Sequence, residues 1–122
     1  MNLSPENDIA LRATIKVYDA GTKKMVPVTS GSAEHFISKT KSNPVPSHED
    51  LVFTPTCIDT AKGWWLIAMD ATDLPVDTLM TGPGAFVEDE TGYIIVKIAG
   101  AIRRAIPFTF KEIPEDAVEE SE

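Results

Sequence analysis

The chain has 122 residues, 43% hydrophobic and 25% charged, the composition of one ordinary folded domain and not of a disordered chain. Eleven Lys and Arg stand against nineteen Asp and Glu, a formal charge of −8, which disfavours binding to nucleic acid or to an anionic membrane. No apolar run reaches the roughly 18 residues that span a bilayer, and a lone cysteine, Cys57, allows no intrachain disulfide.

The first six residues carry neither a basic flank nor an apolar run, so no secretory signal is expected. Ile9, Leu11, Ala13, Ile15 and Val17 then alternate with Ala10, Arg12, Thr14, Lys16 and Tyr18. This period of two predicts a half-buried strand over 9–18; a helix would put Leu11 and Ala13 on different faces. Residues 19–22 predict a turn, with Gly21 free to take a positive φ. A short strand resumes over 23–29, and Pro27, having no N–H, places it at a sheet edge. Residues 34–37 predict another short strand. Residues 38–50, with Pro44, Pro46 and several serines, predict a loop, of a length that is often functional or mobile.

Residues 51–58 read as a strand in which Pro55 marks a bulge or an edge. A turn over 59–63 leads into the strongly apolar strand 64–69. Residues 70–74 predict one capped helical turn before Pro75. Gly82-Pro83-Gly84 is a break, and strands over 85–88, 93–99 and 102–110 complete the set. In the last of these Ile102, Ile106, Phe108 and Phe110 share one parity, and residues 99–101 supply the turn before it. Seven or eight short strands without a long amphipathic helix predict an all-β chain, an antiparallel β-sandwich or small barrel over 1–111. Residues 112–122 hold six acids and no base, which predicts a flexible, solubilising acidic tail or one that docks on a basic partner. Without that tail 11 bases face 13 acids, so the domain body is nearly neutral.

Trp64 and Trp65 are adjacent on a predicted strand and point to opposite faces. One is expected in the core and the other wholly or partly exposed, as an interface anchor or, less favoured, a sugar-stacking platform; burial of both is the alternative. Arg103 and Arg104 are the only arginine pair, read as surface salt-bridge formers or as contacts to an acidic partner, a neighbour's tail included. Tyr93 follows Asp89-Glu90-Thr91-Gly92 and is a candidate tyrosine corner, the alternative being a plain aromatic at the start of a strand. Asp70, Asp73, Asp77, Glu88, Asp89 and Glu90 are close in sequence, but their spacing does not fit a calcium loop and solvated turns are the reading. His35, His48 and Cys57 are the conventional base and nucleophile candidates. No paired Cys or His motif suggests zinc, Cys57 reads as a small core hydrophobe, and His48 as a solvated loop residue. No phosphate loop, paired-carboxylate signature or nucleophile elbow occurs, so no enzyme, cofactor or metal is expected.

Two stretches carry a resemblance. One is Lys62-Gly63-Trp64-Trp65-Leu66-Ile67-Ala68-Met69-Asp70-Ala71-Thr72-Asp73-Leu74. The other is Thr91-Gly92-Tyr93-Ile94-Ile95-Val96-Lys97-Ile98-Ala99-Gly100 with Ala105-Ile106-Pro107-Phe108-Thr109-Phe110. They resemble the strand-and-corner segment and the closing hairpin of Ig-like modules of tailed-bacteriophage particles, and residues 9–29 resemble an opening strand pair. The resemblance implies an Ig-like antiparallel β-sandwich without catalytic residues. It implies a structural subunit of a phage particle, a capsid decoration or head-associated protein ahead of a tail or baseplate part. Such a protein is made in the host cytoplasm, resides in the virion, and binds other virion proteins or forms a homo-oligomer. Trp64, Trp65, Arg103 and Arg104 are the expected partner-interface residues. The rival expectations are a phage-encoded inhibitor of a host protein and a carbohydrate-binding module.

Overall fold

A computed structural model describes residues 1–112, and the chain is all-β. Its strands in order are β1 (Asn2–Leu3), β2 (Ile9–Thr14), β3 (Lys16–Asp19), β4 (Lys24–Pro27), β5 (Ala33–Ser38), β6 (Val52–Phe53), β7 (Thr56–Asp59), β8 (Trp64–Met69), β9 (Thr91–Ile98) and β10 (Ala101–Phe110). A 3-10 turn (Ala71–Asp73) and a one-turn helix, α1 (Val76–Leu79), lie between β8 and β9. Five strands form one sheet in the order β1-β10-β9-β5-β6, three form a second, β2-β8-β7, and β3 and β4 pair as a separate hairpin. Only the β1–β10 pairing is parallel among the described strands.

The sheets close on one apolar cluster. Ile9, Ala13, Trp65, Ile67 and Met69 enter it from the three-stranded sheet, and Ile37, Ile94, Val96, Phe108 and Phe110 from the five-stranded one. Every second residue of β8 points inward, as the alternation predicts. The two sheets share their ends. The Arg104 guanidinium donates from the start of β10 to the Thr14 carbonyl at the close of β2, at 3.1 Å. At the opposite end the Lys111 N–H donates to Leu3 and the Glu6 N–H to Leu74. The first is called the hairpin end below, because β3 and β4 project from it, and the second the helix end. The acidic tail expected to be flexible lies, beyond Glu112, outside the described residues.

Several elements differ from the sequence reading, each for a local reason. The strand expected over 9–18 divides at Ile15, which is buried; its N–H donates to Gly63 and its carbonyl accepts from Val28. Before Ile15 the chain pairs with β8, and after it with β4. The strand expected over 51–58 divides at Thr54-Pro55, where the chain leaves the larger sheet for the smaller. Residues 85–88 form no strand; Phe86 leaves the backbone ladder and plugs the core between Phe108 and Phe110, ring centroids 5.6 and 5.5 Å away. In β10 the register shifts between Ile102 and Arg104, so Ile102 no longer shares the inward face of Phe108 and Phe110 and is exposed. In the first hairpin the positive φ belongs to Lys23 and not to Gly21, whose N–H is held by the Asp19 carboxylate. Pro27 does lie on an edge, since β4 pairs only with β3, and residues 39–51 form the expected loop. The capped turn after β8 is present: the Asp73 carboxylate accepts the Asp70 N–H at 2.8 Å.

Candidate interaction surface

On β8 the inward set is Trp65, Ile67 and Met69, which leaves Trp64, Leu66 and Ala68 on the outer face of the three-stranded sheet. The partners of β8 set what stands beside them. Leu66 is opposite Arg12 on β2 and Thr56 on β7, and Trp64 is opposite Thr14. A second register shift, between Cys57 and Asp59, brings Ile58 out; it is 51% exposed and Leu66 is 36% exposed. The result is a largely uncharged strip of Ala10, Ile58, Leu66 and Ala68 that ends at Trp64.

Trp64 is half-buried, and its cover is cationic. The Arg12 guanidinium lies 3.8 Å from the ring centroid and the Lys62 ammonium 4.3 Å from it. Each is a cation–π contact worth about 0.5–1 kcal/mol near a surface. Trp65 takes the core position, with its indole N–H donating to the Val28 carbonyl at 2.7 Å. The adjacent tryptophans are thus divided between core and surface. The Arg12–Trp64 contact depends on the β2–β8 register, which alternation alone does not specify.

Arg103 and Arg104 do not join in one patch, and neither forms a salt bridge among the described residues. The Arg103 Nε donates to the Ile98 carbonyl at 3.3 Å, across the turn into β10, and Arg104 clips the two sheets through Thr14. Register offers backbone carbonyls to both, in place of the carboxylate partners expected. Arg104 remains exposed and Arg103 half-buried. Tyr93 is the third residue of β9, opposite Ser38 and Pro107, and half-buried. No hydrogen bond from its hydroxyl is found among the described residues.

The titratable candidates are structural in position. His35 is wholly buried on the inner face of β5; its Nε2 makes a 3.1 Å hydrogen bond with the Ala68 carbonyl of the facing sheet, and Nδ1 is buried without a partner. Burial pushes its pKa below the ordinary histidine value, against weaker opposite pulls from the Ala68 carbonyl and the Asp73 charge. His48, expected in solvent, is packed instead. Ser47 anchors the loop by donating its N–H to Ile37, and the His48 ring stacks 6.4 Å from that of Phe86. Its Nδ1 meets the Ser47 hydroxyl at 2.9 Å, while Nε2 is enclosed without a partner. Burial lowers this pKa also. Cys57 packs on the core opposite Trp65.

The carboxylates near in sequence separate in space. Asp73 holds the turn after β8, Glu90 pairs with Lys39 at 2.7 Å, and Glu88 and Asp89 flank Lys111 at 3.6 and 2.5 Å. Among the described residues no three His, Cys, Asp or Glu side chains converge as a metal site would require. Compared with models of protein families and with curated proteins, the sequence matches none.

Proposed function

We propose that this chain is a non-enzymatic binding subunit that docks other proteins through the outer face of its three-stranded sheet, centred on Trp64. The supporting observation is the uncharged strip of Ala10, Ile58, Leu66 and Ala68 that ends at a half-buried tryptophan under two cations. Aromatic and arginine side chains together are typical of the few residues that dominate protein interfaces. Arg12 and Lys62 against the ring leave less of it open to stack a sugar, so the protein contact is the preferred reading.

The strand order supports the Ig-like form of the fold. With β2, β5, β6, β7, β8, β9 and β10 taken as strands B, C, C′, D, E, F and G, the sheets run B-E-D and G-F-C-C′. That is the division of a variable-type sandwich. Together with the resemblance in residues 62–74, 91–100 and 105–110, it supports a structural subunit of a tailed-phage particle, a capsid decoration or head-associated protein bound to other virion proteins.

Quantitative mass spectrometry of purified particles is the direct test. The chain is expected at many copies per particle, and its absence from clean particles overturns the virion reading. Trp64→Ala is expected to stay folded, with a loss of about 1–2 kcal/mol from its two cation–π contacts, and to abolish partner binding. Undiminished binding by a folded Trp64→Ala protein overturns the proposed face.

A further inference from the structure

Charge in this molecule is sorted along its length. At the hairpin end the sheets place Arg12 on β2, Lys62 beside Trp64, Lys97 on β9, and Arg103 and Arg104 on β10. The projecting hairpin adds Lys16, Lys23 and Lys24, all exposed. Against these eight cations the same end has three carboxylates, Asp19, Glu34 and Asp59. The helix end is the reverse. Its cations are Lys39, Lys41 and Lys111, and two of the three are already engaged by Glu90, Glu88 and Asp89. The remaining carboxylates of the described residues all lie there, in the segments 6–8, 49–50, 70–77 and at Glu112. Residues 113–122 continue from this acidic end with Glu115, Asp116, Glu119, Glu120 and Glu122 and no base.

The hairpin also carries exposed apolar side chains. Tyr18 and Met25, opposite each other on the hairpin, are 62% and 57% exposed. Residues 113–122 interleave their acids with Ile113, Pro114, Ala117 and Val118. The hairpin end thus offers cations with exposed apolar groups, and the sequence of residues 113–122 offers acids with apolar residues between them.

We propose that the hairpin end is a docking surface for the acidic C-terminal segment of a second copy of this chain, so that copies associate head to tail. The course of the chain favours the second copy. Strand β10 runs from the hairpin end to the helix end, so the chain enters residues 113–122 at the end away from the cations. Stacking two copies brings these opposite ends together. A head-to-tail contact is heterologous, so it leaves a free surface at each end and builds rings or filaments. Its attraction is electrostatic, and salt weakens it. The proposal goes beyond the binding face centred on Trp64 and does not depend on a virion location.

The test is sedimentation velocity of the purified full chain, at low salt and in about 1 M salt, where the Debye length falls to about 3 Å. Concentration-dependent oligomers are expected at low salt and a monomer at high salt. Two full-length variants identify the surfaces. One neutralises the tail (Glu115→Gln, Asp116→Asn, Glu119→Gln, Glu120→Gln, Glu122→Gln), and the other reverses the hairpin (Lys16→Glu, Lys23→Glu). Each alone is expected to be monomeric, and a mixture of the two is expected to form one-to-one pairs, because one keeps the hairpin and the other the tail. If the hairpin variant does not fold, Lys62→Glu with Lys24→Glu takes its place. A parent that is monomeric at low salt overturns the proposal. So does association that persists in the tail-neutralised variant, or the absence of pairs on mixing. Since no particle protein is present, this outcome is separate from that of the Trp64 test.

Discussion

Gly63 lies where the three-stranded sheet meets the β3–β4 hairpin. Its carbonyl accepts the Ile15 N–H at 2.8 Å and its own N–H donates to Asp59 at 2.9 Å. Its φ is +69°, and a Cβ there would stand 2.7 Å from the Ile15 carbonyl oxygen and 2.9 Å from Pro27 Cβ. Left-handed backbone costs a non-glycine residue about 1 kcal/mol, and forcing backbone apart adds about 1–3 kcal/mol. Gly63→Ala is therefore expected to lower stability by at least about 2 kcal/mol, read as a shift of the urea midpoint at unchanged slope. A shift below about 0.5 kcal/mol would show that the crossing of the hairpin and β8 is looser than described. The sequence marks Gly63 only as a turn residue, since the contact with Pro27 exists only once the hairpin has folded back. The separation of Trp64 from Trp65 is legible because it needs only the period of a strand. The cations on Trp64 are less so: Lys62 is two residues away, but Arg12 comes from another strand in one particular register.

At the scale of elements, period-two patterning locates β2, β5, β8, β9 and β10, yet it does not say where a strand changes sheet. Ile15 fits the alternation on both sides of it, so nothing in its residue type announces that its neighbours pair with different partners. The register shift in β10 is equally silent, because Ile102 is apolar whether it faces the core or solvent. Phe86 misleads in the opposite sense: an apolar residue in a short run reads as strand, while its burial is earned from a loop. Strand β9 is the best-read element and carries a specific expectation at Tyr93. With no hydrogen bond from its hydroxyl among the described residues, Tyr93→Phe is expected to leave stability within about 0.5 kcal/mol of the parent. A loss of about 1 kcal/mol or more in thermal or urea unfolding would establish a corner hydrogen bond at the start of β9.

At the scale of the whole molecule, the sequence displays an acidic tail and a nearly neutral body, but not the division of that body into a cationic and an anionic end, which arises from strand direction. The same assembly buries His35 and half-buries His48, and this couples stability to pH. His35 joins the two sheets, and His48 pins the 39–51 loop over Phe86. Both have pKa values lowered by burial, so the folded chain binds protons less readily than the unfolded chain. Stability is then complete above the unfolded histidine value of about 6.5 and declines as the pH falls below it, levelling once the folded values are passed. The Asp73 charge opposes this decline at His35, and Lys39, close to His48, adds to it. Urea midpoints measured from pH 8 down to about pH 5 are expected to fall through this window. His35→Gln keeps an N–H donor for the Ala68 carbonyl and removes the titration, so its midpoint is expected to fall less steeply, with the remaining slope due to His48. A parent whose stability is flat across this range, or a His35→Gln profile parallel to it, would mean that the buried Nδ1 is proton-accessible without loosening the contact between the sheets.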